Sequence, residues 1–202
     1  GAFRFAHWNA CWVEKQHAEW AVDAILSFNA DAVLLTDPGA AFSEGGAQRL
    51  EDAGFRIVRA GSFAMVSRVP VTEARPVYQA RGRSMARFAL ATASGPLRID
   101  AVDLPSETTL PRYMSVRTFV GAIEELRGEP ADLIAGDFNI TRGSASLQLL
   151  VEGGARVAAD FLPPVVVLQV RVRVLGRAVI RGVGEVGPAV REEAREKVVV
   201  RP

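Results

Sequence analysis

The stretch from Ala131 to Thr141, which reads ADLIAGDFNIT, constrains this chain more than any other. Its first half is a short apolar run of strand length, and a glycine breaks the run just before two polar side chains. Asp137 and Asn139 stand two residues apart, so on an extended backbone both project from one face at the end of a buried strand. The pattern predicts a strand end in an α/β domain, which is where such domains place reactive groups.

The carboxylate and the amide at this strand end admit two interpretations. Together they can bind a hard cation, orient a water molecule and hold an anionic oxygen. The same residues also make an ordinary strand end followed by an Asx-type turn. The rest of the chain is needed to decide between them.

Length and composition indicate one large domain with a sizeable core. The chain has 202 residues, 49% of them hydrophobic, and a formal net charge of +1, which argues neither for nor against nucleic acid. The single cysteine, Cys11, excludes an internal disulfide. No apolar run reaches the roughly 20 residues of a membrane helix, and no signal-peptide pattern opens the sequence. We therefore expect a monomer without a membrane span, cytoplasmic by default. Because a strand-like segment opens the sequence almost at once, we also expect that an upstream portion has been removed or trimmed.

Two earlier segments repeat the pattern of an apolar run that ends in a polar side chain. Residues 3–9 alternate as a strand that ends at Asn9, and residues 31–37 form an apolar run that ends at Asp37. Each polar residue can be a turn former or can point into a site.

The sequence also predicts helices and further strands. The predicted helices cover 17–28, 43–53 (with Ser43 as N-cap) and 112–126, and the other predicted strands cover 55–59, 62–67, 71–78, 87–93 and 97–104.

A small basic cluster in the middle of the chain consists of Arg81, Arg83 and Arg87. Such a cluster can meet phosphates, or it can be a solvated sheet edge that prevents pairing between molecules. We expect the cluster to be a solvated sheet edge.

Two acidic residues of the next strand, Asp100 and Asp103, are predicted to fall on opposite faces of the sheet.

The composition changes sharply after residue 154. Residues 155–202 contain fourteen Val and eight Arg, and they lack Ser, Thr, Asn, His, Tyr and Trp. We therefore divide the chain into a domain over 1–154 and an atypical tail over 155–202, partly packed on that domain. The segment from Val165 to Val174 has high β-propensity, and we expect it to pair into a sheet because exposing so much valine would be costly.

Five segments in order resemble the motifs of the endonuclease/exonuclease/phosphatase superfamily, which includes DNase I-like nucleases, sphingomyelinases and inositol-polyphosphate phosphatases. The resemblance covers about residues 3 to 150, and GDFN after an apolar strand is its most specific part. The segments are HWN (7–9), LLTD (34–37), MVSRVPV (65–71), VDLPS (102–106) and GDFN (136–139).

The resemblance implies an α/β fold, a four-layer sandwich of two packed mixed β-sheets with helices on both outer faces. It also implies hydrolysis of a phosphate ester, in a small molecule or a nucleic acid, by water with Mg²⁺ or Mn²⁺ as the cofactor. Asn9 and Asp37 correspond to metal residues of the family. Asp137 corresponds to the residue that activates or orients the attacking water, and Asn139 to the amide that holds the phosphate. Asp103 stands where the family usually has a catalytic histidine.

Three departures from the family pattern bear on activity. The metal carboxylate is usually a Glu, and Asp37 is one methylene shorter. Asp103 can bind metal or accept a proton, but it brings no positive charge to a phosphate at neutral pH. The family ends with an Asp-containing strand and a Ser-Asp-His motif, and neither has a counterpart after residue 150. The two histidines, His7 and His17, lie near the N-terminus, where alternation places His7 in or beside a sheet.

Two functional classes follow from these observations. The first is a divalent-metal-dependent phosphoesterase, intact or impaired. Because the tail contains no imidazole, we expect its turnover to be weak or absent. The second is a catalytically inactive member of the same fold that binds a phospholigand or a partner. An unrelated α/β domain is the third interpretation, and the ordered motifs disfavour it. The near-neutral charge disfavours tight binding to long nucleic acids and leaves the substrate open.

Overall fold

The computed structural model of this chain is built around two β-sheets that pack face to face. In the part of the chain that it describes, ten strands form the sheets, and three α-helices and one short 3-10 helix accompany them. None of the described helices is both long and apolar enough to cross a membrane. The described residues are 3–11, 13–43, 45–80, 82–105, 111–126 and 131–139, together with two strands at 165–171 and 179–182.

Most of the predicted elements are present, with bounds that shift by a few residues. The first sheet contains β1 (Phe3–Asn9), β2 (Ala32–Thr36), β3 (Arg56–Ala60), β4 (Phe63–Ser67), β9 (Val165–Arg171) and β10 (Val179–Gly182). The second sheet contains β5 (Val71–Ala80), β6 (Arg83–Thr92), β7 (Gly95–Asp103) and β8 (Leu133–Asp137). The helices are α1 (Ala18–Ser27), α2 (Gly46–Asp52), α3 (Arg112–Glu125) and the 3-10 helix Lys15–His17.

Both sheets are mixed. The strand order is β10-β9-β1-β2-β4-β3 in the first sheet and β5-β6-β7-β8 in the second. Each sheet contains one parallel pair among its described strands, β1 with β2 and β7 with β8, and the remaining pairs are antiparallel. The two parallel pairs matter most for function, because they set which strand ends share an edge.

Alternation along β1 buries both faces of the strand. Phe5 packs in the layer between the two sheets, whereas Trp8 packs on the outer face under α1. The Trp8 ring meets Trp20 and Phe28 edge to face, with centroid distances of 5.6 and 6.0 Å. A strand buried on both faces reads as a nearly continuous apolar run, as β2 (AVLLT) does.

The outer face of the second sheet is covered by α3. Val116 and Phe119 of the helix pack on Met85 and Val102 of the sheet and on Leu104, which follows β7. With α1 and α2 on the opposite side, the layers run helix, sheet, sheet, helix. The predicted four-layer sandwich is therefore confirmed.

The prediction that Ser43 caps the second helix is wrong. Helix α2 begins at Gly46, and its N-cap is Gly45 in the left-handed conformation (φ 84°). Ser43 instead donates its hydroxyl to the Ala40 carbonyl at 2.8 Å in the preceding turn. The first helical residue is a glycine for a packing reason, because a Cβ at Gly46 would lie 2.9 Å from a methyl group of Val22.

The predicted solvated basic edge is wrong for Arg87. This side chain is buried and forms a two-pronged ion pair with Asp100, which the β6–β7 register places directly opposite. Asp100 could not be identified from the sequence as the partner of Arg87, since strand register is a property of the assembled sheet. Arg83 begins β6 and is half-buried, and Arg81 lies outside the described residues.

The tail contributes strands to the first sheet. Strand β9 runs antiparallel to β1, in a register from Phe3 opposite Val170 to Trp8 opposite Val165. The predicted pairing of this segment is therefore observed over 165–171, and residues 172–174 lie outside the described part. The division of the chain at residue 154 stays a prediction.

Candidate active site

Two pairs of parallel strands, one in each sheet, end at the same edge of the sandwich. In the first sheet β1 ends at Asn9, which pairs with Thr36 of β2, and Asp37 follows immediately. In the second sheet β7 and β8 end at Asp103 and Asp137, which are register partners. Adjacent parallel strands have their carboxyl ends together, so each sheet presents a pair of polar residues at this edge.

A hydrogen bond between Asn9 and Asp137 joins the two sheets at the edge. The Asn9 Nδ2 group donates to Asp137 Oδ2 at 2.6 Å, although the two residues are 128 positions apart in the sequence. The other end of the amide is also engaged, since Asn9 Oδ1 accepts the Cys11 backbone N–H at 3.0 Å. The Asn9 side chain is thus fixed at both ends, and it holds the two strand pairs together.

The Asp137 carboxylate accepts one described hydrogen bond on each oxygen. Besides the bond from Asn9, its Oδ1 accepts the Asn139 backbone N–H at 3.0 Å. Asn139 in turn donates Nδ2 to the Leu104 carbonyl at 2.6 Å, next to the end of β7. The Asx-type turn that the sequence allowed is therefore present, and it orients the carboxylate instead of competing with a site.

Backbone strain is concentrated at the same edge. Four non-glycine residues of the described chain have positive φ, and three of them belong here: Cys11 (48°), Asp37 (47°) and Asn139 (47°). The left-handed conformation is uncommon for residues other than glycine, and such strain tends to cluster at functional sites. The clustering adds support for a site that is independent of the side-chain contacts.

The carboxyl group of Asp103 is the strongly perturbed acid of the site. Partial burial, followed by the nearby charges of Asp37 and then Asp137, raises its pKa from the ordinary 3.8 to about 7. The three carboxylates are therefore near enough to repel one another. Close acidic groups of this kind favour either a shared proton or a bound cation.

This perturbation predicts a pH dependence of stability for the protein in EDTA. Because the folded-state pKa of Asp103 is raised, the folded chain holds more protons than the unfolded chain between about pH 4 and pH 7, and stability falls as pH rises across that window. Asp103→Asn should stabilise the chain at pH 8 by about 1–2 kcal/mol, after allowance for solvent screening, and by little at pH 4. Urea unfolding at both pH values measures this. An equal effect of the substitution at pH 4 and pH 8 would contradict it.

Two residues of this edge were missed by the sequence analysis. Cys11 is exposed, and its Sγ lies 3.4 Å from Asn9 Oδ1. Partial desolvation of the thiol, followed by the charges of Asp137, Asp37 and Asp103, raises the pKa of Cys11, which keeps the thiol protonated. Ser84 is the register partner of Asp103 on β6. Cys11 could have been found from the sequence, because it lies two residues after Asn9. Ser84 could not, because only the register of β6 with β7 places it beside Asp103.

His7 lies beneath the edge and takes no direct part in it. The residue is buried, and its Nε2 is 3.0 Å from Thr36 Oγ1. Burial lowers the pKa of His7 to about 4, so the imidazole is neutral at pH 7. The prediction that His7 packs in a sheet is confirmed.

The donor set of this edge fits a hard divalent cation. Carboxylate and amide oxygens are the ligands that Mg²⁺ and Mn²⁺ prefer. In the described residues no three His, Cys, Asp or Glu side chains are grouped closely enough to enclose an ion. Magnesium usually keeps several waters and takes only one or two carboxylates from the protein, so the chemistry of Asn9, Asp37 and Asp137 is sufficient. The metal assignments of Asn9 and Asp37, and the roles of Asp103, Asp137 and Asn139, stay predictions.

Comparison with protein-family models and with curated proteins gives no match. Solved structures do share the fold. SmcL superposes with a TM-score of 0.59 at 17% identity, over 80% of this chain and 72% of its own. Sphingomyelinase C from Streptomyces griseocarneus gives 0.58 at 15% identity, over 79% and 72% of the two chains. A mutant beta toxin from Staphylococcus aureus with bound magnesium ions gives 0.55 at 12% identity, over 75% and 70%. Identities this low establish the architecture alone.

Proposed function

We propose that this chain, which has the DNase I-like fold of the endonuclease/exonuclease/phosphatase superfamily, is a divalent-metal-dependent phosphoesterase. The reaction is hydrolysis of a phosphodiester or phosphomonoester by water. The observation that carries the proposal is the meeting of two parallel strand pairs, which brings Asn9, Asp37, Asp103 and Asp137 to one edge of the sandwich. The magnesium ions bound to the beta toxin structure support the same cofactor in this fold.

Asn9 and Asp37 are the proposed cation ligands, because they end adjacent parallel strands. The Asn9 oxygen accepts the Cys11 backbone N–H at 3.0 Å and the Cys11 thiol at 3.4 Å, and a cation would take the place of the weaker thiol donor. A bound Mg²⁺ or Mn²⁺ would neutralise the charge that develops on the phosphate oxygens. Asp37 has a short side chain, so its left-handed backbone (φ 47°) sets where the carboxylate lies.

Asp137 is the proposed residue that orients and deprotonates the attacking water. Both of its oxygens are already held by hydrogen bonds, from Asn9 and from Asn139, so the direction of the remaining lone pairs is fixed. The water oxygen forms the new bond to phosphorus, and the bond to the leaving oxygen breaks. The proton lost by the water passes to the carboxylate and can return to the leaving oxygen.

Asn139 and Asp103 complete the proposed site. One N–H of the Asn139 amide is donated to the Leu104 carbonyl, and the other can be donated to a phosphate oxygen. Asp103 is the register partner of Asp137 and supplies a second carboxylate that binds the cation or carries a proton. The substrate can be a small phosphate ester or a nucleic acid.

The proposal is tested by hydrolysis of bis-p-nitrophenyl phosphate with Mn²⁺. Turnover should require Mn²⁺, and Asp137→Asn should lower kcat by about 100-fold or more, because the amide cannot accept a proton. Asp132→Asn is the matched control, since Asp132 lies just before the same strand, at its opposite end, and accepts the Arg98 backbone N–H there. Turnover that survives Asp137→Asn, or that is absent from the unmodified chain, would contradict the proposal.

A non-catalytic, phosphate-binding domain is the second candidate. The observation that favours it is the state of His7, which is buried, neutral and engaged with Thr36, so it does not supply the missing catalytic imidazole. In that case ³¹P NMR with Mn²⁺ would detect binding of inorganic phosphate, while the chain would not hydrolyse the ester.

A further inference from the structure

His7 and Thr36 form a polar pair inside the apolar layer between the two sheets. His7 is 8% exposed and Thr36 is 0% exposed. Alternation places both residues on the faces that carry Phe5 and Leu34, which belong to the core between the sheets. The hydrogen bond of 3.0 Å between Nε2 and Oγ1 is therefore shielded from water.

This pair lies directly beneath two residues of the proposed cation site. His7 is two positions before Asn9 on the same face of β1, and Thr36 is the residue before Asp37. Thr36 is also the register partner of Asn9, and its carbonyl accepts the Ala10 backbone N–H at 2.9 Å. The side-chain bond thus links β1 to β2 at the carboxyl ends of the two strands, next to the site.

We propose that His7 and Thr36 are positioning residues, whose hydrogen bond sets the spacing of the ends of β1 and β2 and so of Asn9 and Asp37. The inference rests on the proposed function, because it takes Asn9 and Asp37 to be cation ligands. The placement of His7 and Thr36 beside them comes from the structure. Backbone pairing alone leaves strand ends free to fray, because bonds at the end of a ladder open most easily. The shielded side-chain bond runs diagonally from His7 to Thr36, the β2 member of the last pair, and it opposes that opening.

The hydrogen bond between His7 and Thr36 is better explained by geometry than by stability. Two apolar side chains of similar shape would fill the same space, and such replacements of buried polar pairs are nearly neutral or stabilising. A hydrogen bond has a required length and direction, which apolar contact lacks. The pair therefore fixes geometry in a place where a cation with strict demands on ligand position would bind.

The double variant His7→Phe, Thr36→Val separates positioning from stability. It removes both polar partners, so we expect its Tm to stay within about 4 °C of the unmodified chain. Amide exchange measured by NMR in EDTA should become about tenfold faster or more at Ala10, whose N–H is donated to the Thr36 carbonyl across the ends of β1 and β2. The Asp31 N–H, which is donated to the Arg4 carbonyl at the opposite end of these strands, is the internal reference and should not change.

The same variant should bind Mn²⁺ about tenfold more weakly, as followed by the EPR signal of the free ion. Thr36→Ser keeps the hydroxyl and should retain the exchange rates and the affinity of the unmodified chain. Ser67→Ala is the matched control, because it removes a buried hydroxyl of the first sheet, at the residue of β4 that pairs with Ala32 at the start of β2. If the double variant does not fold, Thr36→Val alone replaces it. Its Tm should fall, because the buried His7 ring keeps an unpaired nitrogen, and the expectations for amide exchange and Mn²⁺ affinity stay the same.

Unchanged exchange at Ala10 would overturn the inference, and so would faster exchange with unchanged Mn²⁺ affinity. An unmodified chain that binds no Mn²⁺ would refute the proposed function instead. The exchange rates would then still decide whether the pair positions the strand ends.

Discussion

Gly136→Ala should prevent the chain from folding. Gly136 has a φ of 147°, and a Cβ there would overlap the Val102 carbonyl oxygen. The neighbouring Val102 backbone atoms are also close, at 2.7 and 2.8 Å, so no flexible side chain can move aside. Relief would require β7 and β8 to separate, at a cost above about 4 kcal/mol, which approaches the whole stability of a typical domain. Loss of the far-UV circular dichroism spectrum and of soluble protein would show this.

Gly95→Ala is the matched control for that experiment. Gly95 also has a positive φ, 115°, but a Cβ there would meet nothing within 4 Å. The backbone strain is thus retained while the clash is absent, and we expect a loss of about 1–2 kcal/mol in the free energy of unfolding. Similar losses for the two variants would mean that strain at positive φ, and not the contact with Val102, explains the glycine before Asp137.

Asp100→Ala should cost about 3–5 kcal/mol of the free energy of unfolding, because it leaves the buried Arg87 guanidinium without its carboxylate. Arg87 donates Nε to Asp100 Oδ1 at 2.7 Å and Nη2 to Oδ2 at 2.9 Å, and the two side chains are 5% and 0% exposed. The hydrogen bond to Asp100 also raises the pKa of Arg87, so the charge cannot be shed on burial. Urea denaturation at pH 7 measures the loss.

Two comparisons make that prediction specific. The double variant Arg87→Met, Asp100→Leu removes both charges, so its loss should be much smaller than that of Asp100→Ala. Asp23→Asn breaks the exposed pair with Arg49, whose N–O distance of 2.6 Å is similar, and should cost under about 1 kcal/mol. A loss for Asp100→Ala no larger than that for Asp23→Asn would show that burial of the pair has little energetic consequence.

The positions of the candidate site residues could be predicted because each follows or ends an apolar run. Asn9, Asp37 and Asp137 lie at strand ends, and the end of a strand is marked locally by the change from apolar to polar residues. Asp103 was recognised through the same kind of run and through the order of the family-like segments. Local patterns of this kind survive in one sequence without knowledge of the partner strands.

The contacts between these strand ends could not be predicted from the sequence. The bond from Asn9 to Asp137 spans 128 positions, and the pairing of Asp103 with Asp137 depends on the register of two strands separated by α3. Ser84 enters the site edge only through the register of β6 with β7. A shift of one residue in any of these registers would turn the side chains to the opposite face.

The sequence by itself determined the alternation of the strands, the helices between them, the polar strand ends and the pairing tendency of the valine-rich tail segment. Only the tertiary structure decided that Arg87 is buried with Asp100 and that Ser43 lies in a turn ahead of its helix. It also decided that His7 bonds Thr36 beneath the site. The physical reason is the same in each case. Periodicity is written in neighbouring residues, whereas burial, charge pairing and register depend on elements that meet only when the two sheets pack.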